Sequence, residues 1–95
     1  MSTSETGAHL IDGEWVTSSA TGISMNPARP DEPVGEYPLG DGSTVADAVG
    51  AATTALGDWA KTSFGTRAKL MEQTAVLIES RIEELATLCT LEEGK

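Results

Sequence analysis

Residues Ser43–Lys61 read STVADAVGAATTALGDWAK, and the period of this stretch decides the fold. Val45, Val49, Ala52, Leu56 and Trp59 recur at intervals of four, three, four and three, which sets them on one face of an α-helix. Ala48, Ala51 and Ala55 widen that stripe with small side chains and permit close approach of a partner element. Thr44-Val45-Ala46-Asp47 reads as a capping box: the threonine oxygen accepts from the Asp47 amide, and the carboxylate reaches back. The helix is therefore expected to start at Ser43–Thr44 and to end near Lys61, with Gly57 weakening its last turn by about 1 kcal/mol relative to alanine.

Downstream, Thr62–Gly65 reads as a short turn, and a second helix is expected from about Thr66 to Glu92. Met71, Ala75, Ile78, Ile82, Leu85 and Cys89 form its seam, and Leu70, Leu77, Leu88 and Leu91 lie beside or behind it. An unbroken helix of that length is on the order of 40 Å long. Its apolar surface is too broad for the first helix to cover alone, so Leu77, Leu88 and Leu91 need something else to pack on. Gly94 reads as the glycine that closes the helix.

Upstream, His9-Leu10-Ile11 and Glu14-Trp15-Val16 flank Asp12-Gly13, the pair that best tolerates the two positive φ angles of a tight hairpin turn. Ile23–Met25 alternates like a third short strand and stops at Asn26-Pro27. Residues 27–42 hold all four prolines and read as a connector, with Val34–Tyr37 a brief extended edge segment ended by Pro38. The expected organisation is a mobile leader over 1–8, a hairpin, short strands and connector over 9–42, and two antiparallel helices over 43–95.

Composition narrows the function. Six Lys+Arg against fifteen Asp+Glu in 95 residues give a net charge of −9. Gripping DNA, RNA or anionic lipid needs clustered bases, so those partners are not expected. A single cysteine rules out an internal disulfide and a CxxC site. One histidine leaves no His-rich metal cluster. The apolar runs are too short to span a membrane, and Met1–Gly7 has neither a basic start nor an apolar h-region, so the expected compartment is the cytoplasm. The acid excess also fits a surface kept soluble in high salt.

Few residues offer chemistry. Cys89 is the one candidate nucleophile, but it lies near a helix C-terminus among Glu83, Glu84, Glu92 and Glu93, so a buried packing cysteine is expected. His9 has no acidic or nucleophilic partner at a defined spacing and reads as a half-exposed strand residue. Glu72, Glu79, Glu83 and Glu84 step around an outer helix face instead of converging on a pocket, and Glu79 and Glu83 make a repulsive i,i+4 pair. Neither dinucleotide nor P-loop glycine spacing occurs. No catalytic, cofactor-binding or metal-ligating residue is assigned.

Several segments, taken in order, resemble the N-terminal part of the aldehyde dehydrogenase superfamily. Ile11-Asp12-Gly13-Glu14-Trp15 resembles its I-N-G-x-W hairpin, and Asn26-Pro27-Ala28 its N-P-A-T stretch, followed by Val34-Gly35-Glu36. Val45-Ala46-Asp47-Ala48-Val49 with Ala51, Ala52, Ala55 and Trp59 resembles its first helix. The pattern Arg67, Leu70, Ala75, Leu77-Ile78-Glu79, Arg81, Glu84-Leu85-Ala86, Thr90-Leu91-Glu92, Gly94-Lys95 resembles its second. Asp12 stands for the commoner Asn, Arg29 for the usual Thr and Glu93 for a small or polar residue. The resemblance covers Leu10 to Lys95.

It implies an α/β fold of which this is the opening portion, with residues 43–95 starting the cofactor-binding domain. The implied family reaction oxidises an aldehyde to a carboxylate with NAD or NADP. The family's catalytic cysteine, general-base glutamate and cofactor glycines lie beyond the position matching Lys95, so Cys89 is not that cysteine. The expectation is a scaffold segment, inactive by itself, partnered by the remainder of the fold or by sister subunits. The alternative is a non-catalytic helical module docking to a partner chain. The run NPARPDEPVG also resembles members acting on dicarboxylic semialdehydes.

Overall fold

The computed structural model describes residues 5–95. Five strands precede three helices: β1 Glu5–Thr6, β2 His9–Ile11, β3 Glu14–Val16, β4 Thr21–Asn26, β5 Arg29–Pro38, α1 Gly42–Lys61, α2 Phe64–Ser80 and α3 Ile82–Glu93. β2 and β3 form the expected hairpin, pairing His9 with Val16 and Ile11 with Glu14. Asp12 (φ 52°) and Gly13 (φ 74°) make its turn, the two left-handed residues a type I′ turn requires.

The second sheet has the order β1-β5-β4. β4 extends the expected third strand at its N-terminal side and ends at Asn26 as anticipated. Pro27 and Ala28 form the tip between β4 and β5, and Asn26 Oδ1 accepts a 2.9 Å hydrogen bond from the Ala28 amide. Beyond this tip the structure corrects the reading of residues 27–42. Ten of them are β5, the central strand of its sheet and not an edge segment. β5 tolerates its prolines because, among the described residues, Gly35 and Glu36, between Pro33 and Pro38, are the ones paired on both sides. Pro33 faces Met25 where the β4–β5 register shifts. The leader reading also changes. Glu5–Thr6 runs parallel to Gly35–Glu36, and the Gly7 amide donates to the Glu36 carbonyl at 2.7 Å, while residues 1–4 of the expected leader lie outside the described residues.

α1 begins earlier than its sequence signal. Asp41 is the N-cap, and the box is Asp41/Thr44, not Thr44/Asp47. The Thr44 amide donates to Asp41 Oδ1 at 3.0 Å and the Asp41 amide to Thr44 Oγ1 at 3.2 Å. The helix ends at Lys61, as its period requires. Ser63 caps α2, accepting from the Thr66 amide at 3.2 Å, so the turn is two residues and not four.

The expected long second helix is two helices. Arg81 (φ −117°, ψ 21°) interrupts it, and its amide donates to the Ile78 carbonyl at 3.1 Å. The Ser80 hydroxyl donates to the Leu77 carbonyl, a local bond that competes with continued helix. Glu83 and Glu84 then occupy the first turn of α3, where a helix favours negative charge. The Glu79–Glu83 pair thus straddles a break, and the i,i+4 repulsion inferred for one continuous helix does not apply. Gly94 closes α3 in the left-handed conformation, as expected (φ 73°, ψ 27°).

The helices do not form an antiparallel pair. α3 packs on β4 and β5, α1 touches β2, and α1 and α2 meet only near their shared corner. Val34, 4% exposed, is the one buried aliphatic side chain described, and it lies on β5 in the cleft bordered by Leu88 of α3. No helical residue is buried. The radius of gyration is 16.9 Å, against about 12 Å for a compact domain of this length.

Candidate functional site

His9 is half-buried on β2, opposite Val16 and beside Gly40, in keeping with its strand position. Its Nε2 is shielded from solvent and has no hydrogen-bond partner, so no base or ligand geometry forms around it. Cys89 departs from expectation: it is exposed, not packed. The exposed seam residues Met71, Ile78, Ile82 and Leu85 lie on both sides of Arg81, and the face of α3 turned to the sheet is a different one. Leu88 and Leu91 are its half-buried residues, and Cys89 is left outside. Glu72, Glu79, Glu83 and Glu84 all sit on exposed helix surface. Among the described residues, no group of three His, Cys, Asp or Glu side chains is placed to hold a metal ion. No described helix is long and apolar enough to cross a membrane.

Two local charge arrangements are well formed. Asp41 accepts from the Thr44 amide, the Ser43 hydroxyl (2.8 Å) and the Thr44 hydroxyl (3.0 Å), and these bonds hold its carboxyl at about 2 against the ordinary 3.8. Arg81 grips Glu84 with two bonds, Nε to Oε2 at 3.1 Å and Nη2 to Oε1 at 2.7 Å, which pull the Glu84 pKa down and raise that of Arg81. Both arrangements order helix N-termini.

A concavity of about 510 Å³ runs between β5 and α3. Val34, Tyr37 and Leu88 supply apolar walls, and Glu36, Glu84 and Glu92 border it with carboxylates. The remaining conspicuous surface is apolar helix. Val45, Val49, Leu56 and Trp59 of α1 and Met71, Val76, Leu77 and Ile78 of α2 are all exposed. At the α1–α2 corner, the Arg67 guanidinium lies 4.7 Å from the Phe64 ring centroid and 6.0 Å from that of Trp59. Sequence reasoning assigned no role to this cluster. Its available signal was the run Trp59–Met71, which carries Lys61, Arg67 and Lys69 and no acid.

The aldehyde dehydrogenase family model matches residues 15–95. The chain belongs to the aldehyde dehydrogenase family. Curated relatives agree with this membership. The alpha-ketoglutarate semialdehyde dehydrogenase of Haloferax volcanii is 36% identical over 89 residues, covering 92% of this chain and 18% of the relative. Malonate-semialdehyde dehydrogenase 2 of Bacillus cereus is 39% identical over the same shares. The hydroxyisobutyraldehyde dehydrogenase of Mycolicibacterium austroafricanum is 37% identical over 86 residues, or 88% of this chain and 17% of that protein. This aldehyde dehydrogenase chain therefore spans less than a fifth of the relatives' length.

The described residues do not fit the nicotinamide dinucleotide that the family implies. The β5–α3 cleft would set carboxylates against a diphosphate, and its one guanidinium is already committed to Glu84. The link from β5 into α1 carries Gly40 and Gly42, but the Asp41 carboxylate already occupies that helix N-terminus, and the link into α2 follows a helix and is capped by Ser63.

Proposed function

We propose that this chain is a scaffold segment of an NAD(P)-dependent aldehyde dehydrogenase and has no turnover by itself. The reaction it would serve converts an aldehyde, water and NAD(P)⁺ to a carboxylate, NAD(P)H and two protons. Short polar aldehydes are the proposed substrates, because relatives named for malonate and alpha-ketoglutarate semialdehydes and for hydroxyisobutyraldehyde are each 36–39% identical to it over 86–89 residues.

The observation that carries the scaffold reading is the absence of any buried residue in three helices that make up half of the chain. Burying a Val, Leu or Ile side chain contributes ~1.5–3 kcal/mol. The faces bearing Val45, Val49, Leu56, Leu77 and Ile78 contribute nothing of the kind until something covers them. The proposed cover is the remainder of the aldehyde dehydrogenase fold and its sister subunits, in the cytoplasm, with neither nucleic acid nor membrane among its partners. A helical module for an unrelated partner chain would use the same faces, but the family match across residues 15–95 favours the scaffold.

The test is an absorbance assay for NADH or NADPH with the purified chain and malonate semialdehyde. No turnover is expected. Turnover that copurifies with the chain would overturn the reading, and its loss in Cys89→Ser would assign it to the chain's own thiol.

A further inference from the structure

We propose that the α1–α2 corner is an anchoring site for a carboxylate, carried by the part of the aldehyde dehydrogenase fold that covers these helices, with Arg67 as its receiver. This rests on the docking reading above and adds the chemistry of the contact. The chain has six basic residues against fifteen acidic ones, yet residues 59–71 hold three of the bases and none of the acids. Arg29 and Arg81 each have a carboxylate, Glu32 at 3.7 Å and Glu84 at 2.7 Å. Arg67 has none among the described residues, and its Nε is shielded from solvent without an acceptor. A shielded donor left unpaired forfeits its hydration without a replacement bond.

The helix dipole gives no reason for the cation. Arg67 follows the first turn of α2, at the end of the helix where its dipole favours negative charge. What the corner does provide is a platform. The guanidinium carbon lies 4.7 Å over the Phe64 ring centroid, and Phe64 is itself 84% exposed. A guanidinium fork accepts a carboxylate in two parallel bonds. Arginine and tryptophan beside an exposed ring is also the composition that dominates interface energetics. Three bases among apolar walls suit one acidic side chain and not a phosphate backbone, whose binders neutralise ~6–10 phosphates.

The test pairs this chain with malonate-semialdehyde dehydrogenase 2 of Bacillus cereus made without its matched segment. Binding is measured by titration calorimetry and, in case the shortened relative does not fold alone, by copurification after coexpression. The unchanged chain is expected to bind and to weaken as salt rises. Arg67→Gln should bind at least tenfold more weakly with a flatter salt dependence, and Phe64→Leu should weaken binding too, while Arg29→Gln binds like the unchanged chain. Equal affinity and salt slope for Arg67→Gln would overturn the anchor and leave the docking reading standing. No binding by the unchanged chain in either format would overturn both. Saturable binding of a single-stranded 20-nucleotide DNA that is lost in Arg67→Gln, without binding to the shortened relative, would overturn the carboxylate assignment.

Discussion

Gly94 sits against the backbone of Ala28: a β-carbon on Gly94 would lie 2.8 Å from the Ala28 nitrogen and 3.1 Å from Pro27 Cβ. Two stretches that resemble family motifs, Asn26-Pro27-Ala28 and Gly94-Lys95, are thereby neighbours in space, and the end of α3 is fixed on the tip of the β4–β5 hairpin. Gly94 also has a φ of +73°. Gly94→Ala should therefore destabilise α3 by ~1–2 kcal/mol from the left-handed backbone alone, before the clash is counted. Faster amide exchange is expected in α3 and around Ala28, with α1 unaffected. Unchanged exchange in both places would contradict the contact.

Gly57 gives the opposite sign for the same substitution. It lies within α1 on an ordinary helical backbone, and a β-carbon added there would meet nothing within 4 Å. Gly57→Ala should stabilise α1 by about 1 kcal/mol, read as added helical circular dichroism and slower exchange in its last turns. A loss of helicity would mean that something in the folded chain occupies that space.

Asp41 sets an acid limit on α1. Its carboxyl is held at about 2, chiefly by the Thr44 amide and then by the Ser43 and Thr44 hydroxyls, against 3.8 when unperturbed. The ionised form is favoured in the folded state, so its contribution is complete above about pH 3.8 and is lost as pH falls towards 2. The helical signal should decline across that window. Asp41→Asn should flatten part of the decline, not all of it, because the Glu84 carboxyl is also lowered by Arg81. Identical acid titrations of the two proteins would refute the cap's role.

The features legible in the sequence are the ones that neighbouring residues decide. Asp12-Gly13 determines its hairpin without help, and the Val45-to-Trp59 period determines α1. β5 is obscured because its partners are distant. Four prolines suggest a connector until β4 supplies one side of the ladder and Glu5–Thr6 covers only the stretch between Pro33 and Pro38. Two overlapping capping patterns compete at Asp41, Thr44 and Asp47, and spacing does not say which carboxylate closes. The break at Arg81 is invisible because the apolar period runs through it. Cys89 is misplaced for the same reason, since a seam fitted to one helix points it inward. Arg67 draws no attention because its meaning depends on Trp59 of α1 as well as on Phe64 one turn earlier in α2, and only the Thr62–Ser63 turn brings Trp59 beside it.

Cys89 should consequently be open to reagents. An exposed thiol on α3 reacts with one equivalent of a disulfide reagent in native buffer, with no denaturant needed. The expected trace is a single fast phase whose amplitude does not grow in urea. A thiol that titrates only after denaturation would restore the packed cysteine.

Salt should stabilise the isolated chain. A net charge of −9 on 95 residues repels itself, and only two ion pairs, Arg29–Glu32 and Arg81–Glu84, offset that repulsion among the described residues. Screening lengths fall from about 10 Å at 0.1 M to about 3 Å at 1 M, below the spacing of most surface carboxylates. Helical content and melting temperature should rise over that range with sodium chloride. The gain should be larger in sodium sulfate, which also strengthens apolar burial. Comparing the two salts separates the causes: equal gains assign the effect to charge alone, and a gain in sulfate only assigns it to the uncovered apolar faces of α1 and α2. A melting temperature independent of both salts would show that the acid excess places no strain on the fold.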